Sequence, residues 1–104
     1  MPAFRDYEGV VVRLTDERHR HILQHPEMAG SDEDIERAVA APDSVIQSVS
    51  DSETRLYYRY VPKSLVGAKH LCVVVKIRRG DAFVITAYLT DKVKKGRVLW
   101  PTAV

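Results

Sequence analysis

Along this 104-residue chain the apolar positions keep helical spacing up to Pro42 and alternate beyond it. Residues 9–14 (GVVVRL) are β-branched and predict a first strand. Thr15 is a natural helix N-cap, and Asp16 and Glu17 suit the positive end of a helix dipole. Pro26 restricts His25 and should end that helix. Ser31 opens a second helix, with Asp34 at capping-box spacing and Ile35, Ala38 and Val39 as its apolar face. Pro42 stops it.

The second half predicts strands at 44–49, 54–61, 69–78, 83–89 and 97–100. Segment 69–78 is the most apolar and should be central. A three-residue connection at Arg79-Gly80-Asp81 would pair Arg78 with Ala82, Lys76 with Val84, Val74 with Thr86 and Cys72 with Tyr88. Leu71, Val73, Val75, Ile77, Phe83, Ile85 and Leu89 then form a core face, while Lys76, Thr86 and Tyr88 share the other face. The expected fold class is α+β: two N-terminal helices packed on one face of an antiparallel sheet, in a single domain spanning residues 1–104.

Composition narrows the class without naming a function. At 45% hydrophobic and 29% charged residues, the chain matches an ordinary soluble globular protein. The longest apolar run, 71–75, is far too short to span a bilayer, and no secretory signal is visible, so a cytoplasmic location without membrane association is expected. The single cysteine, Cys72, excludes an internal disulfide framework and a thiolate metal cluster. Charge is more informative. Residues 1–52 carry five Lys/Arg against eleven Asp/Glu, and residues 53–104 carry eleven against three. Either the charges solvate one common surface or the second half presents a basic face to phosphate. The run Lys92-Val-Lys-Lys-Gly-Arg97 favours the basic face.

The first helix carries the candidate chemistry. Three histidines and two arginines fall in eight residues of LTDERHRHILQHPEM. Imidazole is the one unperturbed side chain that changes charge between about pH 5 and 8. At 100° per residue, His19, Ile22 and Leu23 share one side, and Arg18, His21 and His25 share the adjacent flank. These are solvated helix residues or the lining of a site. His21 and His25 have the i,i+4 spacing of zinc ligands, but HILQH lacks the Glu of a metalloprotease helix and no further ligands are spaced nearby, so neither metal nor cofactor is expected.

In order, LTDERHRHILQHPEM, Pro42-Asp43, LYYRY, LCVVVKI, FVITAYLTD and KKGRVLW resemble the phage-associated branch of the barnase/EndoU/colicin/RelE-like nuclease superfamily, over about residues 11–100. The resemblance implies a RelE/barnase-like α+β fold and metal-independent, toxin-like RNA cleavage. It matches Arg18 and His21 to the family's basic helix positions, Lys76 or Arg59 to its strand cation, and Thr86 to its late-strand hydroxyl. The residue types suit 2′-OH attack on the adjacent phosphate: a histidine acts as acid or base and cations hold the phosphoryl oxygens. The expected catalytic set is Arg18, His21, His25, Lys76 and Thr86. The expected RNA contacts are Arg59, Tyr88, Lys92, Lys94, Lys95 and Arg97, with Tyr57, Tyr58 and Tyr88 available to stack on unpaired bases. RNA is the expected partner, with an antitoxin or immunity protein as a second. The alternative is a non-catalytic RNA- or protein-binding module on the same fold.

Overall fold

The computed structural model describes residues 3–102. Its elements are β1 (Ala3–Arg5), β2 (Val11–Arg13), α1 (Asp16–Leu23), a 3-10 turn (Pro26–Met28), α2 (Asp32–Ala40), β3 (Ser44–Gln47), β4 (Thr54–Val61), β5 (Lys69–Arg78), β6 (Asp81–Thr90) and β7 (Arg97–Trp100). Thr15 caps α1 as its sequence requires: its hydroxyl accepts the Arg18 amide at 3.2 Å. The helix stops at Leu23, because Pro26 holds His25 in an extended conformation with φ −91° and ψ 112°. At α2 the expected capping box does not form. Ser31, at φ −91° and ψ 6°, makes no side-chain cap bond.

The strands form one sheet in the order β1-β2-β6-β5-β4-β3-β7. It is mixed rather than purely antiparallel, because β2 runs parallel to β6 through the pair Arg13 and Phe83. The β5–β6 hairpin also departs from the expected register. Arg78 pairs with Asp81, so the turn holds two residues, with Gly80 at φ +76°. Lys76 therefore faces Phe83, not Val84. A bulge at Ile85 then restores the expected pairs Val74–Thr86 and Cys72–Tyr88. That extra residue reverses the alternation of β6. Ala82 and Val84 are buried where Phe83 and Ile85 were expected, and the Phe83 ring lies 5.7 Å from the Arg13 guanidinium.

Leu71, Val73 and Val75 join Tyr57, Val84 and Ala87 in the main core, together with Ile22, Ile35, Ala38 and Val39 from the helices. Tyr57 also anchors the β1–β2 connection. Its hydroxyl donates to the buried Asp6 carboxylate at 2.8 Å, and the Glu8 and Val10 amides donate to the other carboxylate oxygen at 2.9 Å each. The opposite, open face of the sheet carries a smaller cluster of Ile46, Leu56, Tyr58 and Cys72, edged by Val74 and Tyr88.

Residues 91–96 decide what becomes of that second cluster. They join β6 to β7, which lies four positions away in the sheet order. Four strand spacings come to about 19 Å. The seven steps from Thr90 to Arg97 reach at most about 25 Å. The link is therefore a nearly taut strap, and it crosses the open face. The Lys94 amide donates to Tyr58 Oη at 3.1 Å, and Gly96 lies against Gln47 and Ile46 of β3.

Candidate functional site

Beside the strap lies a groove of 480 Å³. Its floor is Leu56, Val74 and Thr86, and Tyr88 stands beside them. Lys94 and Lys95 of the strap line it, as do Thr54 and the β3–β4 connection at Ser48, Val49 and Ser50. Strand alternation explains the floor: Leu56, Val74 and Thr86 are successive register partners on the open face.

The hydroxyls and cations differ in how far they are engaged. Ser48 and Ser50 share one hydrogen bond at 3.2 Å, and Thr54 donates to Asp51 at 3.0 Å. The Thr86 hydroxyl has no partner among the described residues. Burial pushes the Tyr58 phenol up to about 12 and raises the Tyr88 phenol and the Cys72 thiol, so all three stay protonated at neutral pH. Several basic residues of the second half are already committed. Arg55 pairs with Glu8, Lys69 with Asp91, and Arg78 with Glu53. Lys76 pairs with Asp51 and, at 3.7 Å, with Glu53. The Lys76 hydrogen bond, with those from the Glu53 amide and Thr54, holds the Asp51 carboxyl down at about 2. Lys92, Lys94, Lys95 and Arg97 make no ion pair among the described residues, so four of the six unpaired and uncapped cations of the second half gather on and beside the strap, Lys63 and Arg79 being the other two.

The sheet divides the expected catalytic set. Ile22 of α1 belongs to the main core and α1 packs against β6, which puts Arg18 and His21 in the helix layer. Lys76 and Thr86 project from the opposite face. The helix flank and the hairpin cations therefore do not meet, contrary to expectation, because the helices cover the face from which Lys76 and Thr86 point away. Arg18 lies 3.8 Å from Glu17, and His21 is exposed. His25 is outside the helix, 3.6 Å from Glu27. His19 links α1 to α2 through Asp32 at 2.8 Å.

Two further expectations need correction. Arg59 does not reach the groove. Its guanidinium donates to the Ala41 carbonyl at 2.5 Å, at the C-terminal end of α2, where a cation complements the helix dipole. Tyr57 and Tyr58 offer no free ring: Tyr57 is sealed in the main core, and Tyr58 lies buried beneath the strap. Thr86, Tyr88, Lys94 and Lys95 do come together. Sequence reading missed Ser48, Ser50, Leu56 and Val74 because no charge or motif marks them; only the strand register brings them to the groove.

A second groove of 340 Å³, between the α1–α2 connection and the β4–β5 loop, carries both charge signs through Glu27, Asp34 and Lys63. It is a poorer anion site than the one beside the strap. Among the described residues no three His, Cys, Asp or Glu side chains converge on a metal position, and no helix is long and apolar enough to cross a membrane. The chain matches no family model, no curated protein and no solved structure.

Proposed function

We propose that this protein binds RNA across the open face of its sheet, with the strand lying along the strap. The observation that carries this reading is the strap itself. Four cations without carboxylate partners lie on it or at its end, two of them lining a groove with an apolar floor and a free hydroxyl at Thr86. Phosphates neutralise Lys92, Lys94, Lys95 and Arg97, and Thr86 donates to a phosphate or sugar oxygen. An unstacked base reaches Leu56, Val74 and Tyr88, whereas a duplex keeps its bases out of such a groove. RNA as partner fits a cytoplasmic location, and a protein that covered the strap would act as an antitoxin or immunity partner.

Fluorescence anisotropy with a single-stranded oligonucleotide tests this. Log affinity should fall with log salt by about 0.7 for each phosphate engaged, and replacing Lys92, Lys94, Lys95 and Arg97 by Ala should flatten that slope. A slope unchanged by the four replacements removes the strap from the interface.

A second reading, metal-independent ribonuclease activity on a RelE/barnase-like fold, is favoured by one feature: the exposed His21 on the same helix as Arg18. Divided as they are from Lys76 and Thr86, these residues would cleave RNA at the α1 flank, with His21 as acid or base and His25 as its partner. Incubation with total RNA and tRNA, with and without EDTA, separates the two readings. Cleavage that resists EDTA and drops at least about 100-fold in His21→Ala supports the nuclease. Mobility shift of intact RNA supports the binding module.

A further inference from the structure

We infer that Tyr58 is a positioning residue: it holds the strap on the sheet and so fixes where Lys94 and Lys95 stand. This rests on the RNA-binding reading, which it deepens. Tyr58 lies in the open-face cluster with its ring buried and its hydroxyl aimed at the strap, where Oη accepts the Lys94 amide at 3.1 Å. Cys72 is buried in the same cluster and Tyr88 packs against it, so the ring is enclosed on the open face beneath the strap. Among the described residues the strap has three further tethers. At its start Asp91 pairs with Lys69 at 2.5 Å and the Thr90 hydroxyl bonds the Lys92 amide and carbonyl at 3.3 Å each, and at its end Gly96 sits against the Gln47 carbonyl. Between these ends, Tyr58 bonds the strap backbone from the open face of the sheet, and it does so at the residue whose side chain lines the groove. Tyr58 therefore contributes to binding without touching the ligand. It keeps two like charges together along one wall, which a released strap would let drift apart.

Two measurements on Tyr58→Phe test this. Amide hydrogen exchange at Lys94, followed by NMR, should accelerate about tenfold or more as its hydrogen bond is lost. Single-stranded RNA should bind with a salt slope shallower by about 0.7 to 1.4, equivalent to one or two phosphates, although no charge has been removed. A merely structural role would lower the melting temperature and leave the slope intact. Asp91→Asn cuts only an outer tether and keeps the test alive should Tyr58→Phe fail to fold. It should leave Lys94 exchange within about twofold of the parent, because the Tyr58 bond remains. Unchanged exchange in Tyr58→Phe, faster exchange with an unchanged slope, or full release of Lys94 by Asp91→Asn each overturns the inference. If the parent protein binds no RNA at all, the functional reading falls, while the exchange rates still decide whether Tyr58 anchors the strap.

Discussion

Gly96→Ala should unseat the strap. A Cβ at this position would stand 2.6 Å from the Gln47 carbonyl oxygen and 2.6 Å from Ile46 Cγ2, where ordinary contact begins near 3.4 Å. Neither neighbour can retreat cheaply. Gln47 is paired on both sides, to Arg55 of β4 and Arg97 of β7, and Ile46 is buried in the open-face cluster. The strap must lift instead, by about 1 Å, enough to forfeit much of its packing. Overpacking of this kind costs about 1–3 kcal/mol, and loss of the Lys94–Tyr58 hydrogen bond adds about 0.5–1.5 kcal/mol. Against this, Ala restricts the unfolded chain and returns about 0.4–1 kcal/mol. The net destabilisation is about 0.5–4 kcal/mol. Urea denaturation followed by circular dichroism measures it directly. The midpoint should fall with little change in slope, because the surface exposed on unfolding hardly alters. A Gly96→Ala protein as stable as the parent, with Lys94 still protected from exchange, would refute the close approach on which the strap's path depends.

Two other outcomes follow from side chains away from the strap. Tyr57→Phe removes one of three donors to the buried Asp6 carboxylate and should cost about 1.5–3 kcal/mol in urea denaturation, the range for a hydrogen bond to a charged group; a loss under about 0.5 kcal/mol would show that Asp6 does not depend on it. Asp51, with its carboxyl held near 2 against an ordinary 3.8, stabilises the β3–β4 connection fully above about pH 4, and that contribution is lost as pH falls through 2. The amides of Glu53 and Thr54 should therefore titrate by NMR with a midpoint near 2 in the parent and lose that titration in Asp51→Asn; a midpoint at 3.8 would mean that Lys76 does not hold Asp51.

Local signals were legible where one residue determines one geometry. Thr15 and Pro26 bounded α1, and Ile35, Ala38 and Val39 identified the buried side of α2. Strand alternation put Lys76, Thr86 and Tyr88 on one face correctly. It placed Phe83 on the wrong face, because a bulge adds one residue and carries no sequence mark of its own. β1, at three residues, is too short to show a period, and its pairing with β2 is a tertiary fact. For the site, the run of cations at 92–97 was plain in the sequence, yet its crossing of the sheet was not. That path follows from strand order, in which β7 lies beyond β3. The same strand order, with helices on one side, separated His21 from Thr86, a division that helical-wheel reasoning on a single segment has no means to detect.

The sheet's outermost strands bear on self-association. β5 and β6 are ten residues each, and β5 buries side chains on both faces, a run that would template further strands if its backbone were bared. The edges of β5 are never offered, because β4 and β6 pair it on either side. β6 meets β2 at the one pair Arg13–Phe83, with the three-residue β1 beyond. On the other side stands β7, four residues long, with its register broken between Val45 and Ile46 of its partner and with Pro101 directly after it. Short, irregular or proline-flanked edges are poor seeds for edge-to-edge growth. The least regular strands of the fold thus guard its most aggregation-prone segment, and a lesion at the periphery endangers solubility before it touches the core.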